Sequence, residues 1–434
     1  MTTRDLVEFS PRGDGRALDT AALQNGIDAV HDDGGGTLLI GDGQYLTGGL
    51  LLRSGVTLEL SAGATIIASP RYDDFREHDA ATAVEGARHA MIYARDARDV
   101  GIRGRGRILG NADAYFAVEA DADGYRVPHP LRPRIVLFEG CEAVTIADIT
   151  IERAPIWTVH IAGCDDVAIT GVTIDNDLTM ANTDCIDIDG SRRVRIADCR
   201  LSSADDGVCI KTTELTGRFR RPAEHIVVTG CIVRSTSCAI KIGTETVEDV
   251  GFVVVSDCTV TANRGIGLIS RDGGGLRHIL VSGVTFDCPM AGEAYWGKAD
   301  PVFVSAGRRV EGVDPGVIEH VRFSGLSGVA DGAINVHAGE GGRIRDIVFD
   351  GVRLVQRHSP SPLQGQYDTR PVASSETGPG AAPGGGTTGV DLYPGGLPGV
   401  FARGVEELTL RDVEVFRPDP LPAGWNSQTI VEVP

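Results

Sequence analysis

The stretches VTIADITI (Val144–Ile151) and VAITGVTI (Val167–Ile174) share one pattern, in which apolar positions alternate around a central Asp or Gly. Alternation of β-branched residues is typical of strands, and a central Asp or Gly indicates a turn between two of them. The pattern recurs along the chain, so each copy is one unit of a repeat. The copies begin at Val144, Val167, Val194, Ile226, Val253, Ile279, Val321 (the weakest), Ile347 and Leu408.

The spacing of the copies indicates the architecture. The first six begin 23, 27, 32, 27 and 26 residues apart. Repeats of this length without an amphipathic helix between them suit a right-handed parallel β-helix, whose coils stack about 4.8 Å apart. A β-propeller would need about 40 or more residues per blade, and leucine-rich repeats would need regular leucines. The sequence therefore predicts an all-β solenoid, one strand thick, that forms a single domain over residues 1–434.

Two segments depart from the repeat. TAALQNGIDAVHD (Thr20–Asp32) has a helical period, with Asp19 or Thr20 as its N-cap. A short helix there would cover the unpaired strand edges of the first coil. Residues 356–400 are rich in Gly, Pro and Ser and have no period. In a rigid solenoid such a segment is either a disordered loop or the wall of a pocket, and both interpretations stay open.

Composition limits the partners and the compartment. The net charge of −19, from 60 acids and 41 bases, argues against nucleic acid and anionic membranes as partners. No apolar run approaches the ~20 residues that cross a bilayer, and MTTRDLVEFSPRGDG at the N-terminus lacks the pattern of a signal peptide. Nine cysteines show no metal-binding spacing. We therefore predict a reduced, cytoplasmic protein without a metal or cofactor.

Three of the cysteines fit the repeat itself. Cys199, Cys231 and Cys258 occupy the sixth position of their units, where other units have residues such as Ile149 and Val172. A free cysteine behaves as a small apolar side chain. We expect a buried ladder here rather than a metal site or disulfides.

A second short strand precedes several repeats, as in WTVHIAG, TDCIDIDG, DDGVCIKT, SCAIKIGT and RGIGLISR. Aligning these strands predicts an inward column of Val159, Ile186, Val208, Ile240 and Ile266. Because side chains alternate on a strand, the adjacent outward column is His160, Asp187, Cys209, Lys241 and Gly267. Two positions before the inward column lie Asp184, Asp206, Cys238 and Arg264.

This alignment brings three acids together. Asp184 and Asp206 come from adjacent coils at the same lateral position, and Asp205 is next to Asp206. A single Asp at a strand end more often caps a turn. Three carboxylates in register repel one another and raise each other's pKa, which makes them a poor scaffold unless a function retains them. For the same reason, removing any one of them should leave stability unchanged or slightly higher.

These residues resemble glycoside hydrolase family 28, the polygalacturonase group. NTD (Asn182–Asp184), followed about twenty residues later by DD (Asp205–Asp206) and IKT, is similar to two motifs of the family. The resemblance runs from about Asp14 to Phe286 and includes GGGTLLIGDGQYLTGGLLLRSGVTLELSAGATIIAS and APIWTVHIAGCDDVAITGVTI. It implies an inverting hydrolase in which Asp205 is the general acid, while Asp184 and Asp206 position and deprotonate the attacking water.

Two departures from the family concern the substrate. Cys238 stands where the family has the His of GHG, and residues 267–269 read GLI where the family has RIK. In the family RIK holds a substrate carboxylate, so polygalacturonic acid is not the expected substrate. Lys241, Arg264 and Arg271 lie nearby and are candidates to replace these contacts.

Further candidates for substrate binding lie close to the acids. Lys211 follows them on the same strand, and His160 faces outward one coil earlier. YWGKADPVFVSAGRR (Tyr295–Arg309) resembles a WWGxGEP stretch of divergent bacterial members, where Trp296 would be a platform for a sugar ring. The alternatives are a Trp that covers the edge of the core and a His160 that is simply a polar surface residue.

The leading prediction is therefore a glycoside hydrolase that acts from the chain end of an oligosaccharide, pectin-like or related. A second reading is a β-helix polysaccharide lyase, whose acids hold Ca²⁺ while Lys211, Lys241 or Arg271 removes a proton. A third is a non-catalytic, carbohydrate-binding β-helix, which the missing His and RIK favour. Loss of activity on chelation and an unsaturated product would distinguish the lyase.

Overall fold

A computed structural model describes residues 2–75, 86, 88–121, 124–214, 217–292, 297–369 and 389–434. In this part of the chain the strands wind into coils, and each strand pairs in parallel with its counterpart one coil later. Three faces enclose one apolar core. The prediction of a right-handed parallel β-helix is confirmed.

The first face carries the repeats. Its strands are Thr2–Asp5, Gly36–Ile40, Val56–Leu60, Arg98–Gly104, Glu142–Ala147, Asp165–Thr170, Arg192–Ala197, Ala223–Thr229, Val250–Ser256 and Leu276–Ser282. Three long strands begin on this face and continue onto the second: Ile318–Ala330, Ile344–Gln356 and Val405–Phe416.

The second face lies beyond the turn that the central Asp or Gly makes. Its strands are Asp14–Leu18, Gly43–Thr47, Ala64–Ala68, Arg107–Leu109, Thr150–Glu152, Thr173–Asp175, Arg200–Ser203 and Thr285–Cys288. Two long strands continue from it onto the third face: Ile232–Thr246 and Thr259–Ser270.

The third face carries the clustered acids. Its strands are Leu50–Leu51, Ala90–Arg95, Arg134–Glu139, Val159–Ala162, Ile186–Asp189, Val208–Thr212, Asp300–Ala306, Ile334–Ala338, Val400–Arg403 and Ile430–Val433. Two antiparallel hairpins project from the solenoid. The upstream hairpin pairs Phe116–Ala120 with Arg126–Pro128, and the downstream hairpin pairs Gln366–Asp368 with Val390–Leu392.

One α-helix, Thr20–Asp32, lies in the described part of the chain, together with the 3₁₀ turns Leu6–Phe9, Tyr72–Asp74, Ala112–Tyr115 and Gly217–Phe219. The helix buries Leu23, Ile27 and Val30 completely and joins the core at the first coil, as predicted. Asp19 is its N-cap residue, but the Asp19 carboxylate accepts the amides of Arg12 and Gly13 instead of a helix amide. No helix among the described residues is long and apolar enough to cross a membrane.

The register of the repeats agrees with the alignment by sequence. All nine copies stack in one ladder, from Val144 through Val321 to Leu408. The ladder at the sixth position also forms, through backbone bonds at Ile149, Val172, Cys199, Cys231 and Cys258. All nine cysteines of the chain are buried and unpaired.

The central Asp or Gly of each repeat adopts a left-handed conformation, with φ between 48° and 66°. Gly and Asp tolerate this region better than most residues. The two types also constrain each other across coils. A Cβ on Gly171 would lie 2.5 Å from Asp148 Oδ1, and a Cβ on Gly230 would lie 2.6 Å from Asp198 Oδ1. Where one coil carries Asp, the coil stacked on it has room only for Gly.

Candidate active site

Asp184, Asp205 and Asp206, called the acid trio below, meet on the outer side of the third face. The inward column predicted from Val159 to Ile266 and the outward column from His160 to Gly267 both form in the expected register. That register brings together one carboxylate oxygen from each acid within 4.8 Å of the others. The three side chains are buried, and Asp205 is the most exposed at 8%, against 3% for Asp184 and 1% for Asp206.

Backbone bonds hold the trio in place. The Cys185 amide donates to the Asp206 carbonyl at 2.9 Å, which ties the two coils at the position of the acids. Ser203 Oγ accepts the Asp205 amide at 2.9 Å and donates to the Thr183 carbonyl at 2.7 Å. Ser235 Oγ donates to the Asp205 carbonyl at 2.6 Å. Ser203 and Ser235 thus fix the backbone at Asp205, and Ser203 ties it to the NTD motif.

The trio is electrostatically strained. Burial, followed by the charges of Asp205, Asp187 and Asp206, raises the pKa of Asp184 well above its usual value. Asp184 Oδ1 and Asp206 Oδ1 accept no hydrogen bond from the described residues, whereas Asp206 Oδ2 is engaged by a lysine. Asp184 therefore tends to hold a proton, and the site has unused acceptors for a water molecule or a sugar hydroxyl.

Lys241 joins the trio directly. Its Nζ forms an ion pair with Asp206 Oδ2 from the preceding coil. Burial acts to lower the pKa of Lys241, but the surrounding acidic groups, Asp206 first among them, together outweigh burial and the pKa stands well above its usual value. Lys241 is therefore a cation of the acid cluster, as its place in the outward column suggested.

A second buried ion pair lies beside the trio and joins Lys211, a predicted substrate-binding candidate, to Asp187, which the sequence analysis did not identify as a site residue. Lys211 Nζ is 2.9 Å from Asp187 Oδ1 and lies 3.7 Å from the centroid of the Trp157 ring. Burial raises the pKa of Asp187 to about 6, against the lowering effect of Lys211. Asp187 stood in the predicted outward column three residues after Asp184, and that alternation was the signal that could have identified it.

His160 is placed differently from the expectation. It lies on the outer side of its strand, but it is fully buried, so the interpretation as a polar surface residue is wrong. Arg134 Nη1 donates to His160 Nδ1 at 3.0 Å, and His160 Nε2 faces Asp189 Oδ2 at 3.4 Å. Burial lowers the pKa of His160 to about 4. Its polar atoms are directed at protein groups, and the Trp157 ring lies edge-on to it with the centroids 5.0 Å apart.

Arg264, a candidate for substrate binding, is engaged within the protein instead. Its guanidinium lies 3.4 Å from Asp300 Oδ2 and 3.2 Å from Asp368 Oδ2. It also stacks 3.7 Å from the centroid of the Phe303 ring. Two acids and an aromatic face satisfy this buried cation, so the expectation that Arg264 receives a substrate carboxylate is not supported by its contacts.

Arg271 has no acid within ion-pair distance among the described residues. Its Nη1 donates to the carbonyls of Ser270 and Ser305, and its Nη2 donates to Ser305 Oγ, all at 3.0 Å. Nε has no hydrogen-bond partner there. Burial lowers the pKa of Arg271 to about 10. Trp296, the predicted sugar platform, lies outside the described residues.

The two hairpins flank the acid trio. Arg126 of the upstream hairpin bridges to Met180, just before the NTD motif, and Tyr125 packs on Ala181 and Ala204. On the other side, Asp368 of the downstream hairpin reaches Arg264. The downstream hairpin lies within segment 356–400, of which residues 370–388 are outside the described residues. The acids thus lie between two excursions of the chain.

Comparisons with known proteins agree with this arrangement. The chain is 28% identical over 306 residues to a probable polygalacturonase of Vitis vinifera, a match that covers 64% of this chain and 60% of that protein. The chain thus spans less than two thirds of this relative. It resembles in fold an exopolygalacturonase from Thermotoga maritima, with a TM-score of 0.69, 23% identity and 82% and 87% of the two chains covered.

A family 28 exopolygalacturonase of Yersinia enterocolitica also shares the fold, with a TM-score of 0.70, 16% identity and 100% and 77% of the two chains covered. These two likenesses show the fold alone, whereas a match to a family model shows the family. Residues 38–291, more than half of the chain, match the family model of glycosyl hydrolases family 28. This match includes the acid trio and all the strands that position it, and the chain belongs to glycosyl hydrolases family 28.

Proposed function

We propose that the protein hydrolyses a glycosidic bond near the end of an oligosaccharide, with inversion at the anomeric carbon. The observation that carries the proposal is the acid trio, whose carboxylates lie within 4.8 Å of one another. The buried acceptor atoms Asp184 Oδ1 and Asp206 Oδ1, which have no partner among the described residues, support the proposal, because such atoms are costly unless a water or a substrate occupies them.

In the proposed reaction Asp205 donates its proton to the glycosidic oxygen as the bond to the anomeric carbon breaks. A water molecule attacks that carbon from the opposite side and gives its proton to Asp184 or Asp206. Asp205 is the most exposed member of the trio, which favours it for meeting the leaving oxygen. The raised pKa of Asp184 describes the resting protein, before a substrate and the attacking water occupy the site.

The spacing of the acids does not by itself favour inversion. Most inverting glycosidases keep their carboxyl groups ~6.5–9.5 Å apart, and retaining ones ~5–5.5 Å. The closest oxygens of the trio lie within 4.8 Å. The proposal of inversion therefore rests on the match of the NTD and DD motifs, and the anomeric form of the first product decides it.

Action at a chain end is supported by the two hairpins. The upstream hairpin contacts Met180, Ala181 and Ala204, just before the acids, and the downstream hairpin reaches Arg264, two coils beyond Asp206. A long substrate lying along the stacked coils would therefore meet the downstream hairpin. A pocket that is blocked on one side admits the end of a chain rather than its middle. The exopolygalacturonases with a similar fold agree with this proposal.

Whether the site can bind an acidic sugar depends on which of its lysines and arginines lack an acidic partner within the protein. Lys241 pairs with Asp206, and Arg264 pairs with Asp300 and Asp368, so neither offers its charge freely to a uronate. Arg271 is the candidate that has no acidic partner among the described residues. We propose a pectin-like or related oligosaccharide, in which a carboxylate, if present, is bound by Arg271.

The lyase reading is less favoured. The trio could ligate a divalent cation by its distances, but the Lys241 ammonium against Asp206 would repel that ion. Chelation should therefore leave the activity unchanged. Formation of an unsaturated product that stops when a chelator is added would support the lyase instead.

The test is a screen of the purified protein against uronic and neutral oligosaccharides, with the first product followed by NMR. We expect a short product of inverted configuration. Retained configuration would remove the inverting mechanism. Tight binding of an oligosaccharide without any turnover would leave only the non-catalytic reading.

A further inference from the structure

We infer that Arg264 is a positioning residue that fastens the downstream hairpin to the third face and so determines where the substrate chain stops. The inference rests on the proposed function. Arg264 makes no contact with the acid trio. Its guanidinium is engaged by two acids of the protein, so it does not bind the substrate directly.

The contacts of Arg264 join parts of the chain that are 104 residues apart. Asp300, on the next coil, and Asp368, in the downstream hairpin, both face its guanidinium. Arg264 is 2% exposed and Asp368 is 3% exposed. A buried ion pair is well defined in position because its partners cannot be exchanged for water. This contact therefore fixes Asp368 relative to the coils that carry the acids.

The chain makes room for this contact at Gly267. A Cβ on Gly267 would lie 3.2 Å from Arg264 Cδ and 3.1 Å from Cys238 Sγ. The stem of Arg264 passes over the glycine on its way to Asp300 and Phe303. A Cβ at Gly267 would therefore press on the stem of Arg264, which would have to shift by a few tenths of an ångström.

The position of Arg264 relative to the acids is set by the coils. The Gly207 amide donates to the Cys238 carbonyl, and Cys238 pairs with Arg264. Asp206, Cys238 and Arg264 thus follow one another on successive coils, and coils are about 4.8 Å apart. The downstream hairpin is held about two coils from Asp206, which leaves space for only a short part of the substrate on that side.

The hairpin has a second, apolar attachment. Tyr367 packs against Tyr393 and Phe401, with ring centroids 4.9 Å and 5.2 Å away, and Asn335 Nδ2 donates to Tyr393 Oη at 3.1 Å. Loss of the Asp368 carboxylate should therefore loosen the hairpin without unfolding it. Arg264 would keep Asp300 as its partner, so Asp368 is a better target than Arg264, whose removal would strand two buried acids.

The experiment compares Asp368→Ala and the milder Asp368→Asn with the wild-type protein on a long oligosaccharide, with products separated by length. The wild type should release one short product from the start. In Asp368→Ala we expect a broader range of early product lengths and a KM for short substrates raised about tenfold, equivalent to ~1.4 kcal/mol, with kcat changed much less. Asp249→Asn, at the surface pair of Arg277 and Asp249, is the matched control and should behave as wild type.

Amide hydrogen exchange supplies a readout without activity. Residues 366–369 and 389–393 should exchange faster in Asp368→Ala than in the wild type and in Asp249→Asn. Unchanged product lengths, or unchanged exchange in the hairpin, would overturn the inference. If the wild type cleaves no sugar, the proposed function fails, and faster exchange in Asp368→Ala would still support the positioning role.

Discussion

Lys241 forms an ion pair with Asp206 across adjacent coils, whereas Asp184 has no cation within ion-pair distance among the described residues. Two acids that the repeat places at equivalent positions therefore differ in their electrostatic surroundings. One carries a counter-charge, and the other is held by burial in a state that favours protonation. This difference leads to separate predictions for the two.

Replacement of each acid by Asn tests the proposed roles. Asp205→Asn should lower the rate about 10²–10⁴-fold on a substrate with a poor leaving group, the usual worth of a positioned acid. An aryl glycoside with an activated leaving group should suffer much less, provided that the pocket accepts it. Asp184→Asn and Asp206→Asn should harm both substrates alike, because both substrates need the water. Near-wild-type rates in all three variants would exclude the trio from the mechanism.

Replacement of Asp184 and replacement of Asp206 should have opposite effects on the melting temperature. The repulsion argument from sequence expected every single replacement to leave stability unchanged or to raise it. The ion pair with Lys241 changes this for Asp206. Asp184→Asn should melt at or above the wild-type temperature, and Asp206→Asn should melt below it, because it leaves Lys241 without its partner. Equal melting temperatures for the two variants would contradict the electrostatic difference.

The pH dependence of stability should follow Asp184. A carboxyl group whose pKa is raised on folding binds more protons in the folded state, so its favourable contribution is complete below the unfolded pKa, near 4. This contribution is lost as the pH rises through the raised folded value. The gain in the free energy of unfolding from Asp184→Asn should therefore grow from about pH 4 upward. Urea unfolding of both proteins across this range is the measurement, and parallel curves would refute it.

Lys241→Met tests how much the ion pair between Lys241 and Asp206 contributes to stability, by removing the cation instead of the acid. Asp206 is 1% exposed, so removal of its partner leaves a buried, uncompensated charge. We expect a loss of about 3–5 kcal/mol in the free energy of unfolding. Lys241→Arg keeps the charge and is the control, with a smaller loss. A Lys241→Met protein as stable as Lys241→Arg would show that the pair contributes little.

Thiol labelling tests the buried cysteines. All nine are unpaired and buried, so the native protein should react slowly with a maleimide and completely after denaturation. Dithiothreitol should not change the melting temperature, since no disulfide is available to reduce. A large fall in melting temperature on reduction would contradict both the structure and the prediction of a reduced, cytoplasmic protein, which stays a prediction.

Restoring the family histidine should not create a polygalacturonase. Cys238 is fully buried, and its Sγ lies so close to Gly267 that a Cβ there would be only 3.1 Å away. The larger imidazole of Cys238→His should therefore overpack this site and cost about 1–3 kcal/mol. The RIK cations also stay absent, and a buried carboxylate needs paired donors. Cys238→Ser is the control of similar volume. Efficient cleavage of polygalacturonate by Cys238→His would contradict the prediction.

Much of the fold and the place of the acids could be read from the sequence. The strand period of two determines which side chains face inward, so alignment of apolar positions correctly stacked Val159 on Ile186 and Val208. The same register put Asp184 beside Asp206. Even the exchange of Asp and Gly in the repeats has a local cause, since both types tolerate the left-handed turn there. These are short-range constraints, repeated once per coil.

The partners of the charged side chains were decided only by the tertiary structure. The sequence offered Lys241, Arg264 and Arg271 as equivalent candidates, yet the first pairs with Asp206, the second with Asp300 and Asp368, and the third with neutral oxygens. His160 lies on the outer side of its strand as its period requires, but it is buried against Trp157 and Arg134. A period specifies the direction of a side chain. Its partners depend on where distant excursions such as the downstream hairpin return to the solenoid, because ion pairs in a buried site form wherever the chain brings opposite charges out of water together.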